Sequence, residues 1–219
     1  MIRLHAVPGS RSFRVHWLLA EMGLEPEIEN YRIGDGSLGT EAFRDVNPAG
    51  RVPALEIDGM TLIESGAIIE YLCETRPEHG LGRLPGDAER PEFLVWLHYA
   101  ETVATLIQNL NLQQVFLPDP AMRSPTVIGM ETRRLATVLK PLEKRVSGQD
   151  YLLASGFSAV DIMFGFGVDA AFHYVHGAKF PALGAYHARL AARPAYQTAL
   201  AVQGPDTIYG QPFYEVPDG

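Results

Sequence analysis

The sequence has little of what marks an extracellular or membrane protein. It contains one cysteine, Cys73, which has no partner for an internal disulfide and lacks a CxxC neighbour. The residues after Met1 lack the charged segment and apolar run of a secretory leader, so we expect a cytoplasmic protein. The most apolar later stretch, residues 161–174, carries two aspartates and a histidine and is shorter than a bilayer requires. We therefore expect no membrane span.

Excess positive charge is also missing. The chain has 18 lysines and arginines against 26 acidic residues, a formal net charge of -8, and no basic run that would overcome repulsion from a phosphate backbone. We therefore expect no nucleic-acid partner. With 219 residues, of which 47% are hydrophobic, the chain can bury a core as one large or two small domains.

The first half of the chain alternates between strand and helix patterns. A short apolar run ends at Pro8-Gly9, and apolar residues then recur at helical spacing. Asp58-Gly59 between two apolar runs is a strong hairpin signal. The predicted elements are a strand over 2–7, a helix over 13–22, a strand over 27–33, a helix over 38–46, a hairpin over 52–63 and a helix over 64–76.

The second half is predicted to be helical throughout. Residues 77–91 are rich in proline and glycine, which is typical of a linker, and helical stripes follow without an alternating strand. The tail mixes proline and glycine with three aromatic residues, so it is either a loose end or a flap over a site. The predicted division is a mixed α/β domain over 1–78, a linker over 79–90, an all-helical domain over 91–204 and a tail over 205–219.

Two positions in the first half allow either a structural or a ligand-binding interpretation. Pro53 is either an edge-strand proline or part of a cis Val52-Pro53 peptide that leaves the Val52 backbone open to an extended peptide. Glu64 and Ser65 either cap a helix or bind the zwitterionic amino-acid end of a ligand. In the second case the Ser65 hydroxyl binds the ligand carboxylate and Glu64 faces the ligand ammonium group.

Ser10, Arg11 and Ser12 lie between the first strand and the first helix, where the helix dipole is positive. Ser12 is the better N-cap candidate by position. Ser10 would then be free in the loop, where its hydroxyl could donate to a thiolate and lower the pKa of that thiol.

The remaining chemistry-bearing residues favour structural roles. His173 and His176 lack a third ligand nearby in sequence, so we expect no metal. Cys73 lies in an apolar helix and is expected to be a buried, inert thiol. Ser158 and Asp161 have the spacing of a capping box at a helix start, which predicts a folding role and no catalytic one.

Several motifs, taken together, resemble the cytosolic glutathione transferases. They occur in that family's order across almost the whole chain, and the first-loop segment looks most like the bacterial and fungal branch related to the yeast transferase associated with the endoplasmic reticulum. No tyrosine ends the first strand and no cysteine occupies the loop, unlike in the tyrosine-type and cysteine-type classes. The motifs are residues 8–15, residues 47–55 from Asn47-Pro48 to Ala54-Leu55, Glu64-Ser65-x-Ala67-Ile68, Ser158-x-x-Asp161 and residues 192–196.

The resemblance implies a thioredoxin-like domain that holds glutathione as co-substrate, followed by an all-helical domain that lines the electrophile pocket, with no metal. It implies that the backbone of Val52, in a turn that Pro53 shapes, pairs with the cysteinyl part of glutathione. Glu64 and Ser65 would hold the γ-glutamyl end, and Arg51 would lie near a carboxylate. The thiol would be activated by Ser10, Ser12, Arg11 or a backbone amide.

On the same basis we expect a homodimer in which the thiolate attacks a small hydrophobic electrophile, with hydroperoxide reduction as a second activity. The electrophile pocket would be walled by the first loop, the long helix after the linker and the tail. Its candidate residues are Phe13, Tyr99, Thr102 and Thr105, with a core or dimer contact as the alternative for each. The alternatives are a non-catalytic interaction module and a carrier of hydrophobic ligands, because fold does not fix function.

Overall fold

The computed structural model describes residues 1–217. The chain forms two compact units, one of Met1–Asp87 with Ala192–Ile208, and one of Ala88–Ala191 with the residues from Tyr209 onward. The strands are β1 (Arg3–Ala6), β2 (Glu27–Asn30), β3 (Ala54–Ile57) and β4 (Met60–Ile63). The helices are α1 (Ser12–Glu21), α2 (Glu41–Val46), α3 (Ser65–Thr75), α4 (Arg90–Asn111), α5 (Pro125–Val146), α6 (Ala159–Phe172), α7 (Pro181–Ala191) and α8 (Pro194–Gln203).

The first unit is built on a mixed four-stranded sheet with the order β2-β1-β3-β4. β1 pairs parallel with β2 and antiparallel with β3, and β3 and β4 form an antiparallel hairpin. Asp58 and Gly59 both have positive φ, 54° and 78°, as a two-residue turn that matches strand twist requires. The predicted hairpin and the predicted order of strands and helices are confirmed.

The core of this unit lies where α1 and α3 pack against one another and α1 contacts β1. The apolar side chains of β1, β3, α1 and α3 that face inward are withdrawn completely from solvent. Each such burial contributes about 1.5–3 kcal/mol before the entropy of ordering is subtracted. The fully buried set includes Leu4, Leu55, Val15, Trp17, Leu18, Ile68 and Leu72.

Helix α8 packs on α1 and belongs to the first unit. The Tyr196 ring stands edge-on to Trp17 and to Phe13, with centroid distances of 4.9 and 5.0 Å. The Arg193 guanidinium donates to both carboxylate oxygens of Glu21, at 2.7 and 2.8 Å. The predicted helical range 91–204 therefore contains a segment that clusters with the first unit. Helical periodicity identified the helix and carries no information about which unit it joins.

The second unit contains α4 to α7. α6 is apolar around most of its circumference, as a central helix must be, and α4 packs against both α5 and α6. The predicted capping box is present, with the Ser158 N–H donating to Asp161 Oδ2 at 2.8 Å. The fully buried Asp161 also accepts from the Leu152 N–H and the Tyr186 hydroxyl, and burial raises its pKa against the effect of these bonds. None of the helices within residues 1–217 is long and apolar enough to span a membrane.

Candidate functional site

The loop before β3 presents an open backbone position. The Val52-Pro53 peptide bond is cis, which is the second of the two alternatives for Pro53. Pro53 is buried and Val52 is half-buried. The buried Asn47 side chain holds the loop, donating to the Arg51 carbonyl at 2.6 Å and accepting from the Ala49 N–H at 3.0 Å. Within residues 1–217 neither the N–H nor the C=O of Val52 has a hydrogen-bond partner. An extended peptide could therefore pair with Val52.

The start of α3 adds a second polar position. Glu64 has φ 68° and ψ 115°, a left-handed conformation that costs a non-glycine residue on the order of 1–3 kcal/mol. Its side chain makes no capping bond, so the alternative of a simple cap does not describe Glu64. Its carboxylate is exposed, whereas Ser65, the first residue of α3, is buried. Arg51 is exposed at the preceding loop.

A residue that the sequence reasoning assigned no role, Arg14, lies directly behind Ser65. Arg14 is completely buried, and its Nη1 donates to Ser65 Oγ at 3.2 Å. On α1 it shares a face with Trp17 and Leu18, which are also fully buried. A cation on an otherwise buried helix face was the available signal, but Ser65, which it contacts, is 51 positions away in sequence.

The first loop differs from the prediction at the helix start. Ser12 was expected to be the N-cap, and this is wrong, because Arg11 already has helical dihedrals and α1 begins at Ser12 itself. The Ser10 hydroxyl takes the capping role instead, accepting from the Ser12 N–H at 3.2 Å. The two hydroxyl oxygens also lie 2.9 Å apart, within hydrogen-bond distance. Ser12 is buried, and Ser10 and Arg11 are half-buried.

The carboxy-terminal segment of the first unit lies against this loop. The Thr207 hydroxyl donates to the Pro8 carbonyl at 3.1 Å. The Asp206 carboxylate occupies the space beside Gly9, where an added Cβ would lie 2.1 Å from Oδ1. The beginning of the tail is therefore held next to Ser10.

The rest of the described tail packs on the second unit. Tyr209 stacks on His173 with ring centroids 3.9 Å apart, and Tyr214 stacks on Tyr174 at 5.5 Å. The Tyr214 N–H donates to the His173 carbonyl at 2.8 Å. Of the two predicted alternatives, a loose end does not describe residues 205–217, because they are held by contacts at both positions.

The four predicted electrophile-pocket residues have different surroundings. Phe13 is buried in the first unit against Tyr196. In the second unit, the Tyr99 hydroxyl donates to the Val138 carbonyl at 2.9 Å, and partial burial raises the pKa of Tyr99. Thr102 and Thr105 are exposed and line an open groove of about 620 Å³, together with Leu106, Met130, Arg133, Arg134, Thr137 and Val138. The second unit brings the two threonines together in that groove.

Cys73 and the histidines were predicted to have structural roles, and the structure gives them little reactive chemistry. Cys73 is 2% exposed, and burial raises its pKa to about 12, so it is a protonated thiol at neutral pH. Residues 1–217 contain no cluster of three or more histidine, cysteine, aspartate or glutamate side chains that could hold a metal ion.

Comparison with known proteins gives the family. The model of the glutathione S-transferase N-terminal domain matches residues 1–74, and that of the C-terminal domain matches residues 126–194. A glutathione S-transferase of Silene vulgaris is 30% identical over 223 residues, which cover 92% of this chain and 98% of the relative. The chain belongs to the glutathione S-transferase family.

Two bacterial members extend the comparison. GstA of Escherichia coli O157:H7 is 28% identical over 93% of this chain and 99% of its own length. The structure of a sphingomonad glutathione S-transferase complexed with glutathione is 30% identical and superposes with a TM-score of 0.78, covering 92% of this chain and 98% of that one. The predicted fold class, a thioredoxin-like domain followed by a helical domain, is confirmed.

Proposed function

We propose that this family member binds glutathione on its first unit and directs the thiolate at a small hydrophobic electrophile. The observation that carries the proposal is a pair of positions in that unit with hydrogen-bonding groups that the described residues leave unused. The Val52 backbone has no partner within residues 1–217, and the Ser65 hydroxyl at the start of α3 donates to no protein acceptor there. One suits a peptide backbone and the other a carboxylate, and glutathione carries both.

The proposed binding mode assigns one part of the tripeptide to each position. Val52, beside Pro53, pairs with the cysteinyl backbone. Ser65 donates to the γ-glutamyl carboxylate, and the exposed carboxylate of Glu64 faces the ammonium group. Arg51 is an exposed cation one residue before Val52, which suits the remaining carboxylate.

The proposed activating group is the Ser10 hydroxyl. Its oxygen already accepts the Ser12 N–H, and when the Ser12 hydroxyl also donates to it, the Ser10 hydrogen is left to donate to a thiolate. A donated bond and the positive end of α1 both stabilise the charged sulfur and so lower the thiol pKa. Ser12, Arg11 and a backbone amide are the alternative sources of this stabilisation.

The proposed reaction is nucleophilic addition or substitution. The glutathione thiol loses its proton to solvent, the sulfur forms a bond to the electrophilic atom, and in a substitution the leaving group departs with its bonding electrons. With an organic hydroperoxide the thiolate attacks an oxygen and the O–O bond breaks, releasing an alcohol. The glutathione sulfenic acid then reacts with a second glutathione to give the disulfide and water.

That Phe13, Tyr99, Thr102 and Thr105 line the electrophile pocket remains a prediction. Their surroundings support this role to different degrees. Phe13 has its ring in a packed cluster, and the hydroxyl of Tyr99 is committed to Val138. Thr102 and Thr105 face open space. The first loop, which is also assigned to the pocket, is the place where Thr207 holds the tail.

The proposal also covers the oligomeric state, the family branch, the cellular location and the domain limits. A homodimer is supported by exposed apolar side chains on α4 and α5, with Val95 61% and Met130 49% exposed. Sedimentation velocity should then give twice the 24.1 kDa chain mass, and a monomer at all concentrations would contradict it.

The serine that precedes Arg11 supports membership of the branch related to the yeast transferase. A cytoplasmic location rests on the single cysteine. The domain limits 78 and 90 stay proposals, whereas residues 192–204 of the proposed helical domain cluster with the first unit.

The test is calorimetric titration with glutathione, followed by ultraviolet difference spectroscopy of the bound thiolate from acidic to neutral pH. We expect binding with a depressed thiol pKa, and turnover of a model electrophile that falls about tenfold or more in Ser10→Ala, because a hydrogen bond to a charged group is lost. Ser147→Ala, an exposed serine at the end of α5, is the matched control and should leave both quantities unchanged.

Contrary results would change either the proposed function or the proposed activating residue. Binding without a depressed pKa would favour the carrier. No binding at all would favour the interaction module. If Ser10→Ala leaves turnover and the bound-thiol pKa unchanged, Ser10 is not the activating group, and Arg11 and Ser12 become the next positions to substitute.

A further inference from the structure

Arg14 is a buried cation in the middle of the first unit. It has no solvent-accessible surface, and it lies on α1 between two residues that are themselves buried, Phe13 and Val15. Removing a guanidinium from water costs several kcal/mol unless charge and hydrogen-bond partners compensate. Arg14 therefore depends on its contacts inside the unit, one of which is the bond to Ser65.

The bond between Arg14 and Ser65 fixes the direction of the serine hydroxyl. A guanidinium can only donate, so in the 3.2 Å contact between Arg14 Nη1 and Ser65 Oγ the serine oxygen is the acceptor. The hydroxyl hydrogen must then point elsewhere. Within residues 1–217 it meets no protein acceptor, and Ser65 is only 4% exposed. A buried donor left without an acceptor is costly, so this hydrogen points to a ligand.

The place where this hydrogen is offered favours a negatively charged acceptor. Ser65 is the first residue of α3, an eleven-residue helix, so the N–H groups of its first turn and the positive end of its dipole lie at the same spot. The Arg14 charge adds to both from behind. The start of α3 and the guanidinium that contacts Ser65 both favour a negative charge at this place, as a carboxylate site requires.

We propose that Arg14 is a positioning residue for the γ-glutamyl carboxylate of glutathione, an inference that rests on the proposed function and adds a residue to it. Arg14 sets the Ser65 hydroxyl so that its hydrogen donates to the carboxylate, and its buried charge strengthens that bond. It acts through Ser65 without touching the ligand. Arg51, which is exposed, serves a different carboxylate.

Two glutathione analogues separate this role from a general loss of structure. Glutaryl-cysteinylglycine keeps the carboxylate of the first residue and lacks its amino group, whereas 4-aminobutyryl-cysteinylglycine keeps the amino group and lacks the carboxylate. Affinities of all three peptides are measured calorimetrically on the full chain, for the wild type, Arg14→Met, Arg14→Lys, Ser65→Ala and the Arg14→Met/Ser65→Ala pair. Arg32→Met, an exposed arginine of the same unit, controls for the loss of one positive charge.

We expect Arg14→Met to weaken glutathione and the glutaryl peptide by about tenfold or more, because a bond to a charged group is lost, and the 4-aminobutyryl peptide by less than about twofold. Arg14→Lys keeps the charge and should lie between the wild type and Arg14→Met. Because the two residues act in series, the double variant should be little weaker than Ser65→Ala alone. Arg32→Met should bind all three peptides as the wild type does.

The outcomes that overturn the inference are distinct from those that overturn the function. A wild type that binds none of the peptides refutes the proposed function and this inference with it. A wild type that binds glutathione, with Arg14→Met losing all three peptides equally, shows that Arg14 supports the fold only. Additive losses in the double variant refute the coupling to Ser65. Should Arg14→Met not fold, the ratio of glutaryl to 4-aminobutyryl affinity in Arg14→Lys decides, and an unchanged ratio refutes the proposal.

Discussion

At the scale of single residues, Gly9 is the tightest position of the first loop. Its φ is 82°, and a Cβ there would overlap the Asp206 carboxylate at 2.1 Å. Gly9→Ala should therefore lower the free energy of unfolding by about 2 kcal/mol or more, because backbone strain and a steric clash add. Gly23→Ala is the matched control, since its φ is 68° and no heavy atom lies within 4 Å of the added Cβ.

Urea unfolding of both variants, alone and with Asp206→Ala, separates the two costs. Gly23→Ala should lose about 1 kcal/mol from strain alone. Asp206→Ala should recover the excess in the Gly9→Ala background and nothing in the Gly23→Ala background. Equal losses for the two glycines would mean that Asp206 does not occupy the space beside Gly9.

Cys73 gives a second prediction at this scale. Its folded-state pKa, raised by burial to about 12, lies above the value of an exposed thiol, so the neutral form is favoured and its contribution to stability is lost only as pH rises past about 9. In native protein at about pH 8 an aromatic disulfide reagent should find no reactive thiol. In denaturant it should release one thiol for each chain. A rapid native reaction, as fast as that of free glutathione, would show that the α3 face carrying Cys73 opens.

At the scale of elements, the start of α6 depends on one carboxylate that accepts from Ser158, Leu152 and Tyr186. Asp161→Asn replaces one of two accepting oxygens with an NH2 group that can only donate, so the free energy of unfolding should fall by about 2 kcal/mol or more. Asp169→Asn, exposed on the same helix, should change it by less than about 0.5 kcal/mol.

The measurement is chemical denaturation together with kcat/KM for glutathione at a temperature where the variant is folded. We expect the stability loss without a loss of kcat/KM, because Asp161 belongs to the second unit and to its folding. A variant with full stability and reduced kcat/KM would contradict the structural role.

The elements also show how far local sequence determines this fold. The turn at Asp58-Gly59 and the capping box at Ser158 are specified by residues within three positions of each other, and both are predictable from sequence. The pairing of Arg14 with Ser65 spans 51 positions, so no local pattern could reveal it. At the start of α1, Ser10 and Ser12 were both suitable caps by type, and only the helical dihedrals of Arg11 decide between them.

At the scale of the whole molecule, the main feature is the way in which the tail is held. Thr207 donates to the Pro8 carbonyl in the first unit, two residues before Ser10, while the Tyr214 N–H donates to the His173 carbonyl in the second. Each unit therefore holds a different part of the tail. Sequence composition left open whether residues 205–219 form a flap, because aromatic residues among prolines and glycines suit either a docked or a loose segment.

If the tail covers the first loop, a variant ending at Gly204 should raise KM for a hydrophobic electrophile by about fivefold or more, because apolar contact with the bound electrophile is lost. The affinity for glutathione should change by less than about twofold, since Val52 and Ser65 lie outside the tail. Thr207→Val is the matched variant, because it removes the hydroxyl bond to Pro8 and keeps the side-chain shape. It should reproduce part of the effect. Unchanged electrophile KM in the shortened chain would show that the tail stabilises its own contacts and plays no part in substrate binding.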